Sequence, residues 1–414
     1  MNRRSFLATA GAASLGSTIA LDAADAPAPV VAPPFTAGSG PGPVFGGSPM
    51  VTGPAADALV ILQPLQRHAT GYLEFALDGE KFQRVDAAAA GLLPFEQYVL
   101  KFRLPPLPPR REVRYRITAR SIGWVQVRQF VIGKITPGEP ETGPERRFRT
   151  LDPGAATTSF VVWNDTHENA ETLKSLHAQT AALQPDFLLW NGDQSNDIND
   201  ESRMRTQFLA PEGLAVADRW PLAYVRANHD VRGPKARHLP EYTGTPGDRF
   251  YYGFRSGPLA ALVMDTGEDK EDDSEWLGGL TAFAAMRKEQ AAWLAKVTQE
   301  PWFRDAPFRV LFCHIPLWFI RELKGVEWGE YSKPCREAWL PGLTTAGVKV
   351  IVSGHTHDFA WMPAKDGQPI GQLIGGGPVS RIATIIHGTA TRDTLTLKMS
   401  KLDGKVVAEV VLKA

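Results

Sequence analysis

Hydrophobic and polar positions change rhythm along the chain. Between about Pro49 and Thr150, short runs alternate with a period of two: Ala58-Leu59-Val60-Ile61-Leu62, Gly71 to Leu77, Tyr98 to Arg103 and Glu112 to Ile117. Turn signals such as Asp78-Gly79 and Pro105 to Pro109 separate them, the pattern of a β-sandwich. From about Ala155 strand-like apolar runs alternate with helical periods, which predicts an α/β domain. Ser159-Phe160-Val161-Val162-Trp163 and Phe187-Leu188-Leu189-Trp190 read as buried strands, and Ala170 to Leu183 as an amphipathic helix. Glu289 to Gln299 reads as a second helix, with Ala292, Trp293, Leu294 and Ala295 around its apolar side. Val348 to Val352 is a further buried strand, and Thr394 to Leu412 is strand-rich with the hairpin signal Asp403-Gly404. No repeat of fixed period stands out.

The first 45 residues follow another logic. Arg3-Arg4-Ser5-Phe6-Leu7 leads into a weakly apolar run from Ala8 to Leu21 and then Ala24-Asp25-Ala26. A basic start, a short apolar middle and an A-x-A end predict an export signal over residues 1–26, too short to be a spanning helix. The paired arginines resemble a twin-arginine signal, which implies the Tat export machinery as a partner and a periplasmic or extracellular location. An ordinary secretory signal or an uncleaved lipid anchor are the alternatives, and no cysteine lies near the cut to favour a lipoprotein. Residues 27–45 are rich in Pro, Gly and Ala and read as a linker. The expected division is therefore 1–26, 27–45, 46–150 for the β-sandwich and 151–414 for the α/β domain.

Composition narrows the function classes. The 414 residues are 43% apolar and 22% charged, ordinary for a globular protein. Lys plus Arg equals Asp plus Glu at 45 each, so no long-range field draws nucleic acid or an anionic membrane, and stable membrane insertion is not expected. An anionic substrate must be attracted locally. The two cysteines, Cys313 and Cys335, rule out a disulfide scaffold, while one bridge or two separate thiols stay open.

The candidate chemistry sits at strand ends. Asp165-Thr166-His167 follows Trp163, Gly192-Asp193 follows Trp190, and Asn228-His229-Asp230 follows Tyr224-Val225. His314 follows Phe312-Cys313, and Gly354-His355-Thr356-His357 follows Val352. Open α/β sheets hold their ligands at the carboxyl ends of strands, and five of the nine histidines fall in these clusters. Imidazoles at i and i+2 after a glycine turn offer two neutral nitrogen donors for metal.

In chain order the clusters read D-x-H, G-D-x-x-N, N-H-D, H, G-H-x-H, which resembles the calcineurin-like metallophosphoesterase superfamily, including purple acid phosphatases, protein phosphatases and many phosphodiesterases. The resemblance implies a four-layer α/β/β/α sandwich, preceded by the all-β immunoglobulin or fibronectin III-like domain of purple-acid-phosphatase-like proteins. It also implies two metal ions, with Asp165, His167 and His357 on the first, Asn228, His314 and His355 on the second, and Asp193 bridging both. Two cations about 3.5–4 Å apart share a bridging hydroxide that serves as nucleophile and clamp phosphate oxygens. The mixed nitrogen and oxygen donors suit Fe, Mn, Zn or Co. His229 and Asn228 would touch the substrate phosphate, and His229 would help protonate the leaving oxygen. The implied protein is an exported phosphoric ester hydrolase, monoesterase or diesterase, acting on a small phosphate ester or nucleotide-like molecule. A non-catalytic cell-surface protein that binds glycans or proteins, with a remnant metallophosphoesterase domain, is the alternative; the complete ligand set weighs against it.

Departures from the family pattern carry their own expectations. Purple acid phosphatases have glycine at the position of His167 and tyrosine at that of Asn196, so the tyrosine-to-iron colour should be absent. Protein phosphatases carry Asp then Arg at the positions of Asn196 and Asp197, which disfavours that role and leaves Asp197 and Asp230 as candidates to orient His229. Ala227 replaces the usual glycine before Asn-His-Asp. His68, His177 and His387 read as packing or solvated residues, and His238 could reach the pocket mouth. The acidic run Glu268 to Glu275 reads as a solvated loop and helix start, with a Ca²⁺-holding loop as the alternative. Specificity is expected from a loop between His314 and Pro341 carrying Trp318, Phe319, Glu327, Trp328 and Tyr331. Asn199, Asp200 and Arg203 could also line the pocket.

Overall fold

The computed structural model describes residues 42–55, 59–95, 97–128, 131–320 and 332–414, and the side chains of 124–136 are not among the described features. The predicted signal, most of the linker, and Ala58, Glu327, Trp328 and Tyr331 lie outside the described residues. One compact unit takes in residues 36–123 and 136–414, and residues 124–135 fall in the other.

Two sheets stacked face to face organise the large unit. The first runs in the order Val406–Lys413, Thr394–Lys401, Thr384–Ala390, Thr158–Trp163, Phe187–Trp190, Leu222–Tyr224, Met50–Thr52, Val60–Pro64, Val99–Arg103. The second runs Tyr252–Ser256, Leu259–Val263, Phe308–Phe312, Val350–Ser353, Gly371–Ile374, Ala360–Met362. Alternate residues of one strand serve two cores, as the pleat requires. Phe160 and Val162 face the second sheet with Phe187, Leu189, Phe312 and Val352, whereas Val161 and Trp163 face the outer layer. Phe160 stacks on Phe187 with ring centres 5.2 Å apart and meets Phe312 edge-on at 5.9 Å.

Helices cover both outer faces, giving the four-layer α/β/β/α architecture. Helix Ala170–Leu183 matches the sequence reading residue for residue. Asn169 caps it by accepting from the Thr172 amide, and Gln184 ends it in a left-handed conformation at φ 46°. Its buried residues, Leu173, Leu176 and Thr180 among them, lie over the two central tryptophans. Trp163 donates its indole N–H to Thr180 Oγ1 at 2.9 Å and Trp190 donates to Thr166 Oγ1 at 3.2 Å, so two fully buried indoles keep their polar atoms satisfied.

Three expectations change. The helix read as Glu289 to Gln299 spans Phe283–Val297, and its buried stripe is Phe283, Arg287, Gln290 and Leu294 while Ala292 and Ala295 are exposed. Arg287 sits inside because its guanidinium donates to the carbonyls of Thr266 and Glu268, and Gln290 because it holds both main-chain groups of Asp265. Polar residues on the inner face hid the true period. The region before Pro341 is not all loop: Ser332–Thr345 is a helix with Cys335, Trp339 and Leu343 buried, its pattern masked by the internal Pro341. Cys313 and Cys335 are separate buried thiols in the core beneath it.

The N-terminal β region also departs from a free-standing sandwich. Met50–Thr52 pairs in parallel with Leu222–Tyr224, so three of its strands extend the first sheet across residue 150. Those strands are buried on both sides: Val60, Leu62 and Val99 join the core around Trp163, and Ile61, Leu100 and Phe102 join another with Leu73, Phe75 and Tyr115. The latter belong to a third sheet containing Gln83–Asp86, Ala69–Leu77 and Glu112–Arg128. The continuous apolar run Val60-Ile61-Leu62 is what burial on two faces demands, and it reads poorly as one face of a sandwich. Among the described residues no helix is long and apolar enough to cross a membrane.

Candidate metal centre

Every predicted donor stands at the carboxyl end of a parallel strand, and the two sheets bring those ends together. Asp165 and His167 follow Thr158–Trp163, Asp193 follows Phe187–Trp190, and Asn228 follows Leu222–Tyr224. His314 follows Phe308–Phe312, and His355 and His357 follow Val350–Ser353. The chain turns sharply to present them: Asp165, His167, Asp193, His355 and His357 all have φ between 42° and 70°. Non-glycine residues rarely adopt this left-handed region, and strain of this kind concentrates at functional sites.

The donors fall into two groups that share one residue. Ligand atoms of Asp165, His167, Asp193 and His357 lie within 4.8 Å of one another, as do those of Asp193, His314 and His355. Asp193 Oδ2 is 3.3 Å from His167 Nε2 and 3.1 Å from His314 Nε2, so its carboxylate stands between the groups. His167 Nε2 and His357 Nε2 approach to 2.9 Å, and His355 Nδ1 is 3.0 Å from Asn228 Oδ1. Buried His314 Nε2 has the Asp193 carboxylate 3.1 Å away as its polar neighbour, while its Nδ1 is 2.8 Å from the Asn191 carbonyl oxygen. A carbonyl held by Nδ1–H leaves Nε2 facing inward as the atom that ligates once its proton is lost, the support usual for metal-binding histidine. These residues therefore fit a pair of nitrogen- and oxygen-loving cations.

Electrostatics suit the same occupancy. Burial pushes Asp165 up to about 7. Burial also opposes ionisation of Asp193, but His314 and His167 outweigh it and hold that carboxyl well below the usual range. His314 is raised to about 10 because Asp193 and Asp165 overcome its burial. Burial and neighbouring imidazoles lower His355 to about 3 and His357 to about 4, so both are neutral donors near pH 7. Asp165, His167 and His314 are all shifted toward their protonated forms, so a metal would have to displace protons from these three before they ligate.

Small residues make the close approach possible. A Cβ on Gly354 would lie 2.2 Å from Asp165 Oδ2, where the His355 amide instead donates to both carboxylate oxygens at 2.8 and 3.0 Å. Gly192, at φ +84°, has no room for a Cβ beside the Ala227 methyl, 2.5 Å away. That vacancy is why Ala227 is accommodated before Asn228.

His229 is oriented by the Asn196 carbonyl oxygen, 2.8 Å from Nδ1, and not by Asp197 or Asp230. Asp230 braces the turn instead, accepting from the Ala227 amide at 3.0 Å and from Tyr224 Oη at 3.1 Å. Arg203 pairs with Glu168 at 2.8 Å, whose other oxygen accepts from the Asn196 amide. Asp200 caps a short turn by accepting from Ser202. His238 pairs with Glu201 at 3.2 Å on a separate cavity of about 490 Å³ that Asp200 also lines. His177 reaches the Ala215 carbonyl, His68 meets Tyr98 edge-on, and His387 lies on strand Thr384–Ala390. Phe319 meets His355 edge-on at 6.0 Å, while Trp318 packs near Arg336.

Sequence reasoning missed one cluster. Glu268 and Asp269, expected in solvent, are buried and hold Arg232 beside His229. Asp269 Oδ2 is also 3.8 Å from His355 Nε2. The available signal was position: Asp265 to Asp269 directly follow the buried strand Leu259–Val263, the neighbour of Phe308–Phe312 in the same sheet.

Comparison with known proteins bears on fold and family. Residues 158–359 match the sequence model of the calcineurin-like phosphoesterase family. The serine/threonine-protein phosphatase CPPED1 of Mus musculus is 28% identical over 144 residues, 34% of this chain and 43% of that protein. Its counterpart in Bos taurus is 29% identical over 188 residues, 44% of this chain and 56% of that protein. The chain thus spans about half the length of these relatives. A purple acid phosphatase from yellow lupin (Lupinus luteus) seeds superposes with a TM-score of 0.64 at 14% identity, covering 89% of this chain and 75% of that one, a likeness of fold. Residues 158–359, with donor clusters at five strand ends, form a domain of the calcineurin-like metallophosphoesterase superfamily.

Proposed function

We propose that this protein is an exported, dimetal-dependent phosphoric ester hydrolase. The observation that carries the reading is the Asp193 carboxylate between two donor groups, within 3.3 Å of His167 Nε2 on one side and 3.1 Å of His314 Nε2 on the other. In this reading Asp165, His167 and His357 hold one cation, Asn228, His314 and His355 hold the other, and Asp193 serves both. When bound, such a pair supplies a water-derived nucleophile at neutral pH and neutralises charge on the phosphoryl oxygens. The nitrogen and oxygen donors suit Fe, Mn, Zn or Co.

The remaining roles belong to the chain. Asn228 and His229 face the substrate phosphate. With Nδ1 engaged by the Asn196 carbonyl, His229 Nε2 is the atom from which a proton passes to the leaving oxygen. Small phosphate esters and nucleotide-like molecules are the substrates. The relatives' name adds phosphoserine and phosphothreonine peptides, against the expectation drawn from Asn196 and Asp197.

Hydrolysis of para-nitrophenyl phosphate and its bis ester, by protein stripped of metal and reloaded with Mn²⁺, Zn²⁺ or Fe, tests the proposal. Metal-restored turnover is expected. Failure both to bind metal and to cleave either ester would leave the binding-protein reading in its place, whereas metal binding without turnover would point to a narrow substrate choice. Export rests on Arg3-Arg4 and the apolar run after them, so a variant with both arginines changed to lysine should be retained in the cytoplasm.

A further inference from the structure

Arg232 belongs to none of the five motifs, yet its guanidinium is among the most firmly held groups at the site. Nε donates to Glu268 Oε2 at 2.9 Å, Nη2 to Glu268 Oε1 at 2.7 Å, and Nη2 again to Asp269 Oδ1 at 3.1 Å. Both carboxylates are buried, so the planar fork cannot rotate away without leaving them uncompensated. Asp269 is steadied in turn by Lys270 Nζ at 2.5 Å.

The third nitrogen is placed differently. Nη1 is turned toward the imidazole of His229, 2.9 Å from Nε2 and 3.4 Å from Nδ1. Nδ1 is already engaged by the Asn196 carbonyl oxygen, so Nε2 carries the lone pair that accepts from Nη1. A charged donor aimed at a neutral ring nitrogen makes a weaker bond than it would with an oxyanion. The same carboxylate scaffold reaches the metal-donor groups through Asp269, 3.8 Å from His355. The guanidinium is therefore flanked by His229 on its Nη1 side and, on its Nη2 side, by Asp269, whose other oxygen is 3.8 Å from His355.

Resting on the hydrolase reading above, we propose that Arg232 is a substrate-binding residue that selects phosphomonoesters. An entering phosphate draws Nη1 from His229 Nε2 onto a non-bridging oxygen. The exchange replaces a weak contact by a charge-assisted one and frees the Nε2 lone pair, which takes up a proton from solvent before passing it to the ester oxygen. A monoester has three non-bridging oxygens and can offer one to Arg232 while the others face the donor groups; a diester has one fewer. The two carboxylates set the fork before substrate arrives, so little ordering accompanies binding.

Arg232→Met and Arg232→Lys, in the full metal-loaded protein, test this with orthophosphate binding by calorimetry and with kinetics on para-nitrophenyl phosphate and its bis ester. Loss of a hydrogen bond to a charged group predicts that Arg232→Met weakens orthophosphate binding and raises KM for the monoester by about 10- to 100-fold. The bis ester should change by less than about threefold, and added guanidinium should restore monoester binding to the variant. Arg232→Lys keeps a charge between Glu268 and Asp269, so it should fold normally and still lose monoester preference. Unchanged orthophosphate affinity at native metal content would overturn the proposal, as would equal losses on both esters accompanied by metal loss, which would make Arg232 a structural brace. Because the calorimetry needs no turnover, a wild type that binds orthophosphate but cleaves neither ester would count against the hydrolase reading and leave Arg232 to be judged by binding.

Discussion

Asp193→Asn is expected to lower ester hydrolysis by at least about 10²- to 10³-fold, the scale on which loss of a charge-stabilising active-site group acts. It should also reduce bound metal from two ions per chain to one or none. The side chain is 1% exposed, and its oxygens meet His167 Nε2, His314 Nε2 and the His229 amide, the last at 3.1 Å. Asparagine keeps the shape but supplies one acceptor oxygen, no charge, and an amide N–H₂ turned toward one of these groups. The metal-free protein offers an independent check. Asp193 is the leading cause that raises His314 to about 10, so its removal should move the His314 titration to lower pH in an NMR experiment. Hydrolysis and metal content equal to wild type would remove Asp193 from the centre.

Gly354→Ala should disable the site from behind. The added methyl would lie 2.2 Å from Asp165 Oδ2 and 3.2 Å from Asn164 Oδ1, both in buried side chains. Either Asp165 swings off the His355 amide or the strand end shifts, and both displace donors from the first group. Overpacking of this kind costs about 1–3 kcal/mol, so a lowered melting temperature is expected together with loss of metal. Serine should do no better, because the obstacle is the β-carbon. A variant that melts and binds metal as wild type does would mean that the Gly354 turn is not what sets the Asp165 carboxylate.

The site was more legible than the frame around it. The five clusters could be read because each combines a short polar signature with a buried strand directly before it, and strand-then-turn is a local signal. Their convergence follows from parallel pairing, Trp163 beside Trp190 and Phe312 beside Val352. Long-range relations were harder. Nothing near Met50 announces a parallel strand partner at Leu222, so three strands assigned to a separate sandwich turn out to extend the first sheet. The helix Phe283–Val297 was shortened because Arg287 and Gln290 face inward, where they satisfy main-chain groups of the Asp265 to Glu268 turn. Glu268 and Asp269 resemble solvent-exposed acids until Arg232, more than thirty positions away, is seen between them. In each case the missing information was a partner distant in sequence.

The most direct test of the central claim is anomalous diffraction from crystals of the protein loaded with Mn²⁺ or Zn²⁺. Two peaks are expected on either side of Asp193, one among Asp165, His167 and His357 and the other among Asn228, His314 and His355. A single peak that leaves His314 and His355 without metal, or no peak within reach of Asp193, would contradict the dinuclear account.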